Sequence, residues 1–110
     1  MSQDRPTIST HVLDTAAGRP RAGVHVRLSR LAADGTAPAV GESVTDDDGR
    51  IRDLLGGGSL EPGNYRLEFA LDSDGFFTGL ALDLRVGDAA RSVHVPVLLA
   101  PFGLTTYRGS

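Results

Sequence analysis

The sequence predicts an all-β protein: an antiparallel sandwich of two sheets built from seven or eight short strands. Three observations carry that expectation. Apolar residues recur at every second position over short runs, as in Val24, Val26 and Leu28 or Leu80, Leu82, Leu84 and Val86. Clusters of Gly, Pro and Asp separate those runs at close spacing, and no segment keeps a helical period. A strand that is apolar on one face needs a second sheet to cover it, and two such sheets make a sandwich.

Ile8 to Asp14 reads as the first strand, with Ile8, Thr10 and Val12 on one face and Ser9, His11 and Leu13 on the other. Residues 15–20 contain the Gly18 and Pro20 of a turn. Val24 to Arg30 follows, with Val24, Val26 and Leu28 inward and His25, Arg27 and Ser29 outward, so His25 reads as a solvated strand residue. After a loop around Asp34-Gly35, Glu42 to Thr45 leads into the tip Asp46-Asp47-Asp48-Gly49, and Arg50 to Leu54 returns from it as the second arm of a hairpin. Gly56 to Ser59 forms a surface loop. Tyr65 to Leu71 and Leu80 to Val86 are two further strands, joined through Asp72-Ser73-Asp74-Gly75. From Ser92 the chain alternates again: Val93, Val95, Val97 and Leu99 form a core face, and Ser92, His94, Pro96 and Leu98 form a mixed one. It then breaks at Pro101 and Gly103 and runs out through a polar tail.

Composition narrows the function. The 110 residues fit one domain, 1–110, able to bury roughly two thirds of its unfolded surface. Eleven scattered arginines within a net charge of -3 provide no basic stripe for phosphates, which excludes nucleic acid. Without Cys there are no disulfides, thiolate metal sites or cysteine nucleophiles. The polar start and the lack of a long apolar run indicate no secretory signal and no membrane span, and hence a cytoplasmic protein.

The acidic tip lacks the twelve-residue ligand pattern of a calcium loop, and the glycines at 56–58 are not followed by the Lys-Ser/Thr and helix of a phosphate loop. Ser110, the last residue, has no nucleophile elbow. What remains is a pair of histidines on the mixed faces of two strands, His11 and His94, an arginine just after a tight turn, Arg50, and the tail. Widely separated histidines with no carboxylate at ligand spacing do not make a zinc site, so no metal and no cofactor are expected. Each mixed face sets a titratable ring beside a bulky apolar residue. Such a face asks for cover by a partner chain or a ligand.

Three stretches place the chain in a wider context: Ser9-Thr10-His11-Val12-Leu13-Asp14-Thr15, Thr45-Asp46-Asp47-Asp48-Gly49-Arg50, and His94 to Gly103 followed by Thr106-Tyr107-Arg108-Gly109-Ser110. In this order and spacing they resemble the 5-hydroxyisourate hydrolases, the transthyretin-like enzymes of urate breakdown. The resemblance implies a transthyretin-like sandwich and hydrolysis of 5-hydroxyisourate to 2-oxo-4-hydroxy-4-carboxy-5-ureidoimidazoline. It also implies a homotetramer, a dimer of dimers with sites in the inter-dimer cleft. It maps a catalytic set onto His11, Arg50 and His94 and a substrate-binding tetrapeptide onto Tyr107, Arg108, Gly109 and Ser110. The family's short helix after the strand ending near Leu71 has no room here, so it is expected to be reduced or absent. Ser92 and Val93 stand in place of a His-Tyr pair, Leu104 in place of a Tyr, and Thr78 in place of a Pro. The alternative reading is a non-catalytic, transthyretin-like module that binds a small ligand.

Overall fold

The computed structural model describes residues 5–109. Among these residues nine strands form two sheets: β1 (Ile8–Asp14), β2 (Arg19–Pro20), β3 (His25–Leu31), β4 (Ala39–Val44), β5 (Arg50–Ile51), β6 (Gly63–Ala70), β7 (Gly79–Val86), β8 (Val93–Ala100) and β9 (Gly103–Thr106). The first sheet runs β2-β1-β8-β9, with β5 also on β1, and the second runs β4-β3-β6-β7. The all-β sandwich is thus as expected, with β2 and β5 only two residues long. Every pairing is antiparallel except that of β1 with β8, which is parallel and runs in register from Ile8↔Val93 to Asp14↔Leu99. Among the described residues there is no helix. Between β6 and β7, Asp72 instead closes a turn by accepting the Asp74 amide at 3.0 Å.

The core forms where the inward faces meet. Ile8 and Val12 of β1, Val26 and Leu28 of β3, Leu67 of β6 and Val97 of β8 are fully buried and belong to one apolar cluster, each contributing about 1.5–3 kcal/mol by leaving water. Two buried polar groups on these inward positions are satisfied. The Thr10 hydroxyl donates to the Val95 carbonyl at 2.6 Å, and the Tyr65 hydroxyl donates to the Glu61 carbonyl at 2.8 Å. Ser29, expected to face outward, is buried at the place where the β3–β4 register shifts.

The acidic tip departs from the expected hairpin. Its local chemistry is that of a turn: Asp46 accepts the amides of Asp48 and Arg50, each at 2.9 Å, and Gly49 adopts a φ of 75°. The arms, however, do not pair with each other. β4 pairs with β3 in the second sheet and β5 pairs with β1 in the first, so the tip carries the chain across the sandwich. Turn residues specify a reversal, and the strand partners are specified by burial far from the tip. Leu54 completes the crossing. Its amide donates to the Ile8 carbonyl at 2.9 Å, and its own carbonyl lies so close to Gly41 of β4 that a Cβ there would stand 1.6 Å from the oxygen.

Candidate active site

The first sheet's outward face carries the candidate residues because the strand period places them there. Ser9, His11 and Leu13 alternate with the buried positions of β1, and His94 and Leu98 do so on β8; all five are half-buried. Pro96, expected in the same exposed row, is buried. The tail turns back over it, and a Cβ on Gly109 would lie 3.4 Å from its ring. The parallel register sets Ser9 opposite His94, and the short β5 sets Arg50 opposite His11. A pairing distant in sequence thereby brings His11, Arg50 and His94 to one surface.

That surface holds two adjoining depressions of about 640 and 410 Å³. The larger is lined by His11, Leu13, Pro20 and Asp48, the smaller by Ser9, Thr10, Ile51 and His94, and Arg50 and Arg52 line both. Each imidazole is tethered at one nitrogen. His11 Nε2 lies 2.8 Å from the Asp48 carbonyl oxygen, which can only accept, so Nε2 carries the proton and Nδ1 of the neutral ring holds the lone pair. His94 Nδ1 lies 2.8 Å from Ser9 Oγ, leaving Nε2 free. The His94 pKa falls below its ordinary value, first because burial disfavours the charged ring, then because the Arg50 guanidinium repels a second cation, as would His11 whenever that ring is protonated. The Arg50 amide donating to Asp46, followed by the Asp48 amide and the charges of Arg52 and Arg50, lowers the Asp46 carboxyl.

The tail divides. Gly109 pairs with His94 by donating its amide to the His94 carbonyl at 2.8 Å, and the imidazole edge leaves no room for a Cβ at this position. Tyr107 and Arg108 instead line a cavity of about 320 Å³ on the far side, floored by Leu82, Leu84, Val93 and Val95. Ser110 lies outside the described residues. Sequence reasoning did not single out Arg52 or the Ser9 tether. Arg52 shares the strand parity of Arg50, which was the available signal, whereas Ser9 meets His94 only through the parallel pairing. Among the described residues, no three His, Cys, Asp or Glu side chains gather closely enough to hold a metal ion.

A family model described as the HIUase/transthyretin family matches residues 8–109. The 5-hydroxyisourate hydrolase of Deinococcus radiodurans is 41% identical over 96% of this chain and 97% of its own length. The structure of Klebsiella pneumoniae 5-hydroxyisourate hydrolase matches with a TM-score of 0.81 and 35% identity, over 94% of this chain and 99% of that one. Sea bream transthyretin, in a crystal structure with thyroxine, matches with a TM-score of 0.84 and 26% identity over 93% of each chain.

Proposed function

This chain belongs to the HIUase/transthyretin family, and from that membership and the groove on the first sheet we infer that it hydrolyses 5-hydroxyisourate to 2-oxo-4-hydroxy-4-carboxy-5-ureidoimidazoline. The observation that carries the reading is the convergence of two tethered imidazoles and a guanidinium on one surface, drawn from three strands. The substrate is a cyclic amide, so water must be deprotonated, negative charge must be held at the carbonyl oxygen, and the departing nitrogen must receive a proton.

His94 is assigned as the base. Burial and the neighbouring Arg50 cation favour its neutral form, and with Ser9 Oγ accepting from Nδ1, Nε2 keeps the lone pair that takes the proton from water. Arg50, permanently charged, stabilises the oxyanion. His11, held through Nε2 on the Asp48 carbonyl, orients the ring or relays its proton through Nδ1. The leaving nitrogen takes that proton from the imidazolium as the C–N bond breaks, so the base is restored each cycle while the water is consumed, its hydroxyl on the acyl carbon and its proton on the nitrogen. Gly109 closes the His94 end of the groove, and Ser110, outside the described residues, keeps its proposed substrate-binding role. Tyr107 and Arg108, which face the β7 side, reach substrate in this reading only across a subunit seam.

The assembly is proposed as a homotetramer with the groove at the seam between dimers. Half-buried Leu13 and Leu98 flank the imidazoles, and the edge strands β7 and β9 leave backbone donors and acceptors open to a second copy. A cytoplasmic setting is part of the same proposal, since a chain without Cys requires no oxidising compartment. A carrier needs apolar walls, and a groove lined by His11, His94, Arg50 and Arg52 serves that purpose poorly.

The test is the absorbance decay of freshly generated 5-hydroxyisourate. The wild-type chain is expected to accelerate it strongly over the spontaneous rate. His94→Asn should lower kcat by about 10² to 10⁴ and Arg50→Ala by about 10² to 10³, with both variants folded by circular dichroism. Wild-type turnover in either folded variant rules out the assignment.

A further inference from the structure

We propose that Arg52 is a second substrate-capturing cation of the groove, setting affinity for the anionic ring without taking part in the chemistry. This rests on the reading of the groove as the hydrolase site. Arg52 follows the buried Ile51 and shares its outward parity with Arg50, so the tip that delivers one guanidinium to the groove delivers both. It is exposed, and it borders the depression at His11 as well as the one at His94.

Its charge is available. Arg5, Arg21, Arg30 and Arg66 each lie within ion-pair distance of a carboxylate, whereas among the described residues Arg50 and Arg52 pair with none. Asp46, the acidic group whose carboxyl feels the charge of Arg52, is occupied by the amides of Asp48 and Arg50. The acidic tip sets Asp48 beside the larger depression, but the smaller one is lined by Arg50, Arg52 and His94 and by no carboxylate, so its two guanidinium groups offer an anion a locally positive site. Arg108, the tail cation, lines the cavity beside β7, so Arg52 is the arginine of this chain that flanks Arg50 at the groove.

An exposed cation holds the ground state and the transition state alike, so its loss is read in KM. Steady-state kinetics on freshly generated 5-hydroxyisourate compare the wild type with Arg52→Gln, Arg52→Lys and Arg27→Gln, the last removing one positive charge from the opposite sheet. Arg52→Gln is expected to raise KM about tenfold with kcat within about twofold, and Arg52→Lys to recover most of the affinity. Added sodium chloride should lower kcat/KM of the wild type more steeply than that of Arg52→Gln. Calorimetric titration with urate, a stable anion of similar shape, should rank the variants in the same order without turnover. A wild-type KM and salt slope in folded Arg52→Gln, or an equal change in Arg27→Gln, overturns the role of Arg52 alone. Absence of turnover by the wild type overturns the hydrolase reading and this inference with it.

Discussion

The His94 imidazole sits between a tether and a wall. Ser9 holds Nδ1, and Gly109 lies against the opposite edge, where an added Cβ would meet Cδ2 at 2.7 Å. Gly109→Ala should therefore displace the ring and cut kcat at least tenfold, while thermal unfolding moves by only a few degrees because the tail is peripheral to the core. Kinetics and calorimetry on one sample check both. The depressed His94 pKa has a signed consequence. The folded chain favours the neutral ring, so between the folded value and the ordinary 6.5 the unfolded chain binds more protons, and stability drops as pH falls through that window. For the same reason the acidic limb of kcat/KM should lie below 6.5. Arg50→Ala, by removing a repelling charge, should move that limb upward even as the rate falls, which a pH profile of the residual activity reads directly. The placement of His11 and His94 on strand faces that also carry Leu13 and Leu98 was legible in the sequence, whereas the roles proposed for them come from the family resemblance. The tethers were not legible, since Asp48 and Ser9 reach the rings through pairings that no local pattern announces.

At the scale of the element, the acidic tip matters more than its two-residue strand suggests. Gly49 has φ 75°, its carbonyl accepts the Val12 amide at 2.8 Å, and a Cβ would approach the Val12 carbonyl oxygen to 2.4 Å. Gly49→Ala is expected to cost about 2–4 kcal/mol from backbone strain and close contact together. Because Asp48 and Arg50 flank it, the same change should also reduce activity; denaturant unfolding alongside the kinetics separates the two effects. Gly41→Ala should be worse tolerated than an ordinary strand substitution, since the carbonyl it would strike belongs to the backbone crossing between the sheets. The strands themselves were readable from period-two alternation, and their bounds in β1, β6, β7 and β8 follow it closely. The hairpin at the tip was misread because Asp-Asp-Gly encodes the bend and leaves the destination of the next strand open. That destination depends on Ile51 and Leu54 finding cover on the far sheet.

For the molecule as a whole, the half-buried row of Leu13 and Leu98 beside the imidazoles is the surface on which the assembly proposal can fail. Sedimentation should give the mass of four chains. Leu98→Glu should split that species and abolish activity while leaving the far-UV spectrum intact, and a fully active monomer would contradict a seam site. The architecture was predictable as a sandwich, yet the joining of the first long strand to the last long strand was not, for no periodicity links residues so far apart. That union has a consequence for how the protein is made. Ile8 to Asp14 can find its neighbour only after Val93 to Ala100 has left the ribosome. Until then the amino-terminal strand has only the two-residue β2 and β5 to pair with, and His11 lacks the second imidazole beside it. A chain cut short before Val93 lacks that union and His94 with it, so it is expected to show no turnover.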